Sequence, residues 1–151
     1  MKKIIFFILL ILPLIACSEE LKLSCKTKLI IEYSNGAPDD VKSDTVIFKI
    51  TDLGLIKFIT TSNDKYCSVT TDKNIENISL IYMNDLSDSN QWDISNIIHN
   101  NNDSKRECRI VIDRNAGSIL HRSIYTAKDG FIINYSATGN CEKVNVINKK
   151  F

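Results

Sequence analysis

Five cysteines, at positions 17, 25, 67, 108 and 141, and two histidines, His99 and His121, are the side chains here best suited to metal binding, nucleophilic attack or proton transfer. Structural zinc needs ligands clustered at short spacing, such as two Cys separated by two residues. From Cys25 onward the cysteines are roughly forty residues apart and neither His stands beside one, so no metal is expected. A nucleophilic Cys needs a base beside it to hold its thiolate, and none is adjacent. Hydrolysis by a Ser, His and acid would have to use His99 or His121. Neither lies near a Gly-x-Ser-x-Gly turn. His121 keeps step with Ile119, Ser123 and Tyr125 as a strand-face residue, and His99 sits among asparagines. Asp85, Asp88 and Asp93, with Ser87, Ser89 and Asn90, supply oxygen but lack the twelve-position calcium loop and its central Gly. No phosphate-cradling glycine loop or dinucleotide fingerprint occurs. The sequence therefore points to no catalytic residue and no cofactor. A carboxylate pair for glycoside chemistry forms only in space and is invisible at this level.

The chain that must position these residues has 151 of them, 44% hydrophobic and 25% charged, with 19 Lys+Arg against 18 Asp+Glu. That is the size and composition of one globular domain. Near-neutral charge lacks the basic excess that phosphate-backbone binding draws on, so no nucleic-acid partner is expected.

Residues 1–16 have another purpose. Lys2 and Lys3 precede an apolar run from Ile4 to Leu12, and Pro13 leads to Leu14-Ile15-Ala16-Cys17. A membrane-spanning helix needs roughly 20 apolar residues, more than this stretch provides, so it reads as an export signal. Leu14-Ile15-Ala16-Cys17 resembles the lipobox of bacterial lipoproteins: an aliphatic residue, a tolerant position, a small residue and the obligatory Cys. The resemblance implies cleavage before Cys17, diacylglycerol on its sulfur and acylation of its new amino group. Several acyl chains at about 0.8 kcal/mol per buried methylene hold a protein on a membrane without spanning it. In the Gram-negative lipoprotein pattern Asp at the next position retains the protein at the inner membrane; Ser18 here implies the outer membrane, facing periplasm or surface. Loss of Lys2 and Lys3 leaves 17 basic against 18 acidic side chains, so no polybasic patch assists the lipid. The expected division is a signal peptide over 1–16, a lipidated N-terminus and short tether over 17–24, and a β-domain over 25–151.

Within that domain Ile, Val, Thr, Tyr and Phe fall in short runs separated by Gly, Asn, Asp and Ser. Runs at 21–33, 45–50, 55–60, 66–71 and 75–83 read as strands, with 34–40 as a turn. Residues 107–113, the Arg114-Asn115-Ala116-Gly117 turn and 118–126 read as a hairpin. Ala127-Lys128-Asp129-Gly130 precedes a run to Thr138, Gly139-Asn140 makes another turn, and 144–147 is a last run. About eight strands predict an all-β fold: a single antiparallel meander barrel, lipocalin-like or partly open, with a β-sandwich as the alternative. The stretch 84–106 breaks the pattern and reads as an irregular insert, with a helical turn or two placing Ile94, Ile97 and Ile98 on one face. Two uses stay open for it: a lid over the barrel's end, or a recognition loop carrying Trp92, Ile94 and Ile97.

With Cys17 lipidated, Cys25, Cys67, Cys108 and Cys141 form an even set in an oxidising compartment, and two disulfides follow. The hairpin register sets Cys108 opposite Ser123 and Asn134 opposite Ser123 in turn. Cys108 and Cys141 are then about seven residues apart along the strands, roughly 23 Å at 3.3 Å per residue. A disulfide needs Cα atoms within about 7 Å. That disfavours Cys25 with Cys67 plus Cys108 with Cys141; of the two pairings left, barrel closure, which joins first strand to last, favours Cys25 with Cys141, and Cys67 with Cys108 then fastens the edge of the insert.

Ile112-Asp113-Arg114-Asn115-Ala116-Gly117, Gly139-Asn140-Cys141 and Lys149-Lys150-Phe151 together resemble small exported bacterial β-proteins with an Arg-x-x-Gly hairpin and a terminal Gly-x-Cys. Ala116 stands where Thr is commoner in them, and the resemblance carries no activity. Lipobox, β-structure and paired cysteines also resemble the membrane-bound lysozyme inhibitors. The chain departs from these in length and lacks their Ser-Gly motif, the nearest stretch being Ser136-Ala137-Thr138-Gly139. The expected function is a lipid-anchored envelope module that captures or blocks another macromolecule, by immunity, exclusion or inhibition. A structural or assembly lipoprotein is the alternative, and a hydrolase with scattered groups the third. The expected partners are the membrane, through lipid on Cys17, and a protein.

Overall fold

The structure is a computed structural model that describes residues 19–53, 57–63, 65–70, 79–99 and 103–144, with only the backbone described for 19 and 79–82. The expected signal peptide, Cys17, Ser18 and the tail from 145 lie outside them. No helix occurs among the described residues. Nine strands follow in chain order: β1 Glu19–Tyr33, β2 Asp40–Asp52, β3 Lys57–Thr61, β4 Val69–Thr70, β5 Ser79–Asp85, β6 Gln91–His99, β7 Lys105–Asp113, β8 Ser118–Thr126 and β9 Ile132–Lys143. They form one antiparallel, nearly closed barrel-shaped sheet of order β4-β3-β2-β1-β9-β8-β7-β6-β5.

Alternation builds the wall. Leu23, Cys25, Thr27, Leu29 and Ile31 of β1 face inward, with Val46, Phe48 and Ile50 of β2 beside them. Ile94, Ile110, Ile112 and Ile119 fill the opposite wall. Each of the buried Leu, Ile, Val and Phe side chains stabilises the fold by roughly 1.5–3 kcal/mol through removal from water. Cys25 lies directly opposite Cys141 in the β1–β9 ladder, and the two are joined at 4.0 Å between Cα atoms.

The other side of the barrel closes differently. β4 and β5 are the two edges of the sheet, and side chains bridge the gap. The Asn96 amide of β6 serves as a surrogate peptide: its Oδ1 accepts from the Thr70 N–H at 3.2 Å and its Nδ2 donates to the Thr70 carbonyl at 2.7 Å. Cys67 is bonded to Cys108 of β7 at 6.1 Å between Cα atoms. Lys57 of β3 donates to Asp85 of β5 at 2.7 Å. Burial lifts the Asp85 carboxyl, but hydrogen bonds from Lys57 and Ser87 outweigh it and hold its pKa below the usual range.

Several expectations are corrected. Of the stretch 84–106, residues 84–99 and 103–106 are described, and they form neither an irregular insert nor a helical turn: they contribute the end of β5, all of β6 and the start of β7, with a turn over 86–90 between β5 and β6. A repeat of Trp92, Ile94 and Asn96 on one side against Asp93, Ser95 and Ile97 on the other has period two, which Ile94, Ile97 and Ile98 taken alone conceal. Residues 19–24 belong to β1 and pair with β2 over Asp52 to Ile47, so they are not tether. Cys108 does pair with Ser123, but Ser123 pairs with Tyr135, and Asn134 with Ile124. Gly139-Asn140 continues β9 rather than turning. A side chain at Gly139 would collide with the Lys26 carbonyl oxygen, so glycine serves close approach of β9 to β1 there. β4 is shorter than the run expected over 66–71.

Candidate functional site

At the end of the barrel where β1 begins lies a cleft of about 490 Å³. Leu21, Leu23, Trp92 and Ile112 form its apolar floor, and Arg114, Gly117, Cys141 and Lys143 its walls. Register explains the floor: Trp92 is the second residue of β6 and pairs with inward-facing Ile112. The turn after β7 builds the rim. Asp113 Oδ1 accepts from the N–H groups of Asn115 and Ala116 at 2.8 and 2.7 Å, and Arg114 N donates to the Asn90 carbonyl at 2.7 Å. This sets the Arg114 guanidinium 4.4 Å above the Trp92 ring, a cation–π stack. Gly117 sits at φ +65°, and its carbonyl accepts from Cys141 N at 2.6 Å, docking the turn on the disulfide-bonded strand. The Trp92 indole N–H is buried and donates to nothing among the described residues. An apolar bowl with a guanidinium and an ammonium at its mouth suits an apolar group carrying an acceptor or an anion.

A second constellation lies inside the barrel. His121 of β8 is fully buried, and its Nε2 accepts from Cys67 N–H at 3.1 Å, so the neutral ring carries its proton on Nδ1. Burial, then the nearby Arg106 charge, lowers its pKa to about 4. Tyr66 packs 4.9 Å from the imidazole, and its hydroxyl is 2.6 Å from Thr27 Oγ1. Burial raises the Tyr66 pKa. Arg106 Nε donates to Ser123 Oγ at 2.9 Å. These contacts tie the segment before β4 to β1, β7 and β8, which makes the group a brace, and the buried His121 Nδ1 has no hydrogen-bond partner among the described residues.

The sequence-expected recognition residues do not share a loop. Trp92 and Ile94 are buried strand residues, Trp92 only 4% exposed, while Ile97 is half-buried on the outer wall. Trp92 and Cys141 both line the cleft. Asp85, Asp88 and Asp93 do not converge: Asp85 meets Lys57, Asp88 Oδ1 accepts from Asn90 N at 2.7 Å, and Asp93 takes a bidentate fork from Arg109 at 2.9 and 2.7 Å. That fork raises the Arg109 pKa. Arg114 as a lid over Trp92, and Asn96 as a seam residue, were missed. Arg114 was visible in the Arg-x-x-Gly hairpin, but nothing in the sequence couples it to Trp92.

At the opposite end, the β1–β2 and β8–β9 turns are braced together. Ser34 N donates to the Ile132 carbonyl at 3.0 Å, and Ile132 N donates to Ser34 Oγ at 2.9 Å. Val41, 57% exposed, lies beside them on β2. No known protein family, curated protein or solved structure matches this chain.

Proposed function

We propose that this chain is a lipid-anchored envelope binding module, held on a membrane through Cys17, that captures or blocks another macromolecule with the end of the barrel distant from the anchor. The observation that supports this reading is the position of Glu19: β1 begins two residues after the lipobox Cys. Anchoring there directs the start of β1 toward the lipid and the braced turns over 34–39 and 127–131 away from it. A disulfide-stapled barrel is a rigid mount, and rigid presentation of surface turns lowers the ordering cost of binding. Cys17→Ser is expected to abolish incorporation of labelled fatty acid and membrane pelleting. In detergent extracts the wild-type chain is expected to retain a stoichiometric soluble protein from outside the envelope, and Val41→Asp to release it. Recovery of a resident envelope complex instead, insensitive to Val41→Asp, overturns capture in favour of an assembly role.

A further inference from the structure

We propose that the barrel sits directly on the bilayer, cleft end down, with Leu53, Leu86 and Val144 in the headgroup layer. This rests on lipid attachment at Cys17. Extended chain advances at most about 3.6 Å per residue, so Cys17 lies within about 7 Å of Glu19 and leaves no room for a tether. Glu19 itself is already paired with Asp52.

The residues at this end suit such contact. Leu53 directly follows Asp52 and is 45% exposed. Asp52 pairs with Lys57, which bridges to Asp85, and Leu86 follows at 55% exposed. On the other side of β1, Val144 is 38% exposed and its N–H donates to the Lys22 carbonyl at 2.8 Å. Three of the six exposed large apolar side chains among the described residues thus lie just past the ends of β2, β5 and β9, all at the end where β1 begins. Val41 is at the far end, and Ile47 and Ile124 are on the walls. An apolar side chain at the bilayer interface leaves water, and a short link makes that contact intramolecular once the lipid is inserted. Arg114 and Lys143 at the cleft mouth are placed to meet lipid phosphates. Glu20, Asp52 and Asp113 share this end, so apolar contact rather than net charge holds it down, and neither anionic lipid nor low salt is required.

The test uses the full lipidated chain in phosphatidylcholine vesicles, with and without dibrominated phosphatidylcholine as a contact quencher. Tryptophan is introduced singly at exposed positions 53, 86, 144 or 41, and the signal of the parent chain with Trp92 is subtracted. Bromolipid is expected to quench the added Trp at 53, 86 and 144 at least about twofold more than at 41, at low and high salt alike. If the vesicles float with the protein but all four positions are quenched equally little, the barrel stands off the membrane and the proposal fails while anchoring survives. Cross-linking of position 53 or 86 to a second copy on the vesicle would overturn it in favour of a dimer face. Failure of the wild-type chain to float removes the anchor and the proposal together.

Discussion

The two sides of the barrel are closed by different means. Between β1 and β9 a ladder runs from Leu23 opposite Lys143 to Tyr33 opposite Ile133, and Cys25–Cys141 lies within it. Between the β3–β4 side and the β5–β8 wall, closure rests on Asn96, the Cys67–Cys108 bridge, the His121 contact and the Lys57–Asp85 pair. A ladder spreads its stability over many backbone groups that are largely indifferent to side-chain identity. The seam depends on particular side chains, so single substitutions reach it.

The largest expected effects come from the disulfides. The loop-entropy relation gives about 5 kcal/mol for the Cys25–Cys141 bridge and about 4 kcal/mol for Cys67–Cys108, from sequence separations of 116 and 41. Paired Cys→Ala replacements measured by urea unfolding should fall in that order. Their local signatures should be opposite. Without Cys25–Cys141 the β1–β9 amides should stay protected from hydrogen exchange in the native state, whereas without Cys67–Cys108 protection of Val69 and Thr70 should collapse. Equal exchange at both sites would erase the distinction between ladder and seam.

His121 gives the seam a pH dependence in the acid range. Its pKa is about 4 in the fold against an ordinary 6.5, so the unfolded chain binds the proton more readily. Stability from the neutral ring is therefore full above pH 6.5 and lost as pH falls toward 4, about 3 kcal/mol at 1.36 kcal/mol per pH unit. Gln at this position retains an acceptor for Cys67 N–H without titrating. The difference in stability between wild type and His121→Gln should shift by that amount between pH 7 and pH 4; a constant difference would show that His121 does not titrate with unfolding.

Asn96→Ala leaves both backbone groups of Thr70 without their amide partner, at a cost of about 2–3 kcal/mol. A matched substitution in the ladder, Thr138→Ala on the outer wall of β9, should change stability by less than about 0.5 kcal/mol. Comparable losses would refute the contrast. Within the seam the smallest effect is expected at the end beside the cleft, where Lys57→Ala should cost up to about 1 kcal/mol, because its pair with Asp85 is partly open to water.

How much of this was legible in the sequence follows the same division. The ladder side was readable: Leu21, Leu23, Cys25 and Thr27 alternate with lysines and Ser24, and the requirement that a barrel's first and last strands meet selected Cys25 with Cys141. The hairpin at Arg114 and the Cys108–Ser123 pairing were also local, set by a four-residue turn. The seam was not readable, because a polar Asn96 in an inward position looks like a broken strand until its partner, Thr70, is known to lie opposite. That mistake turned β6 into an insert and Trp92 into a loop residue. The cleft was equally hidden, since Trp92, Arg114 and Cys141 meet only through register and the docking of one turn on another strand.

Pairing of the first strand with the last has a temporal consequence. A chain made from its N-terminal end can form the β1–β2 hairpin early, and later the β6–β7–β8 meander, from contacts close in sequence. The free edge of β1 then has no partner until β9, more than a hundred residues downstream, becomes available. Such long-range pairing is slow. For that interval an open strand edge rich in Leu and Ile is exposed to neighbouring chains. The alternating lysines of β1, Lys22, Lys26 and Lys28, are placed to keep that waiting edge from joining the wrong sheet.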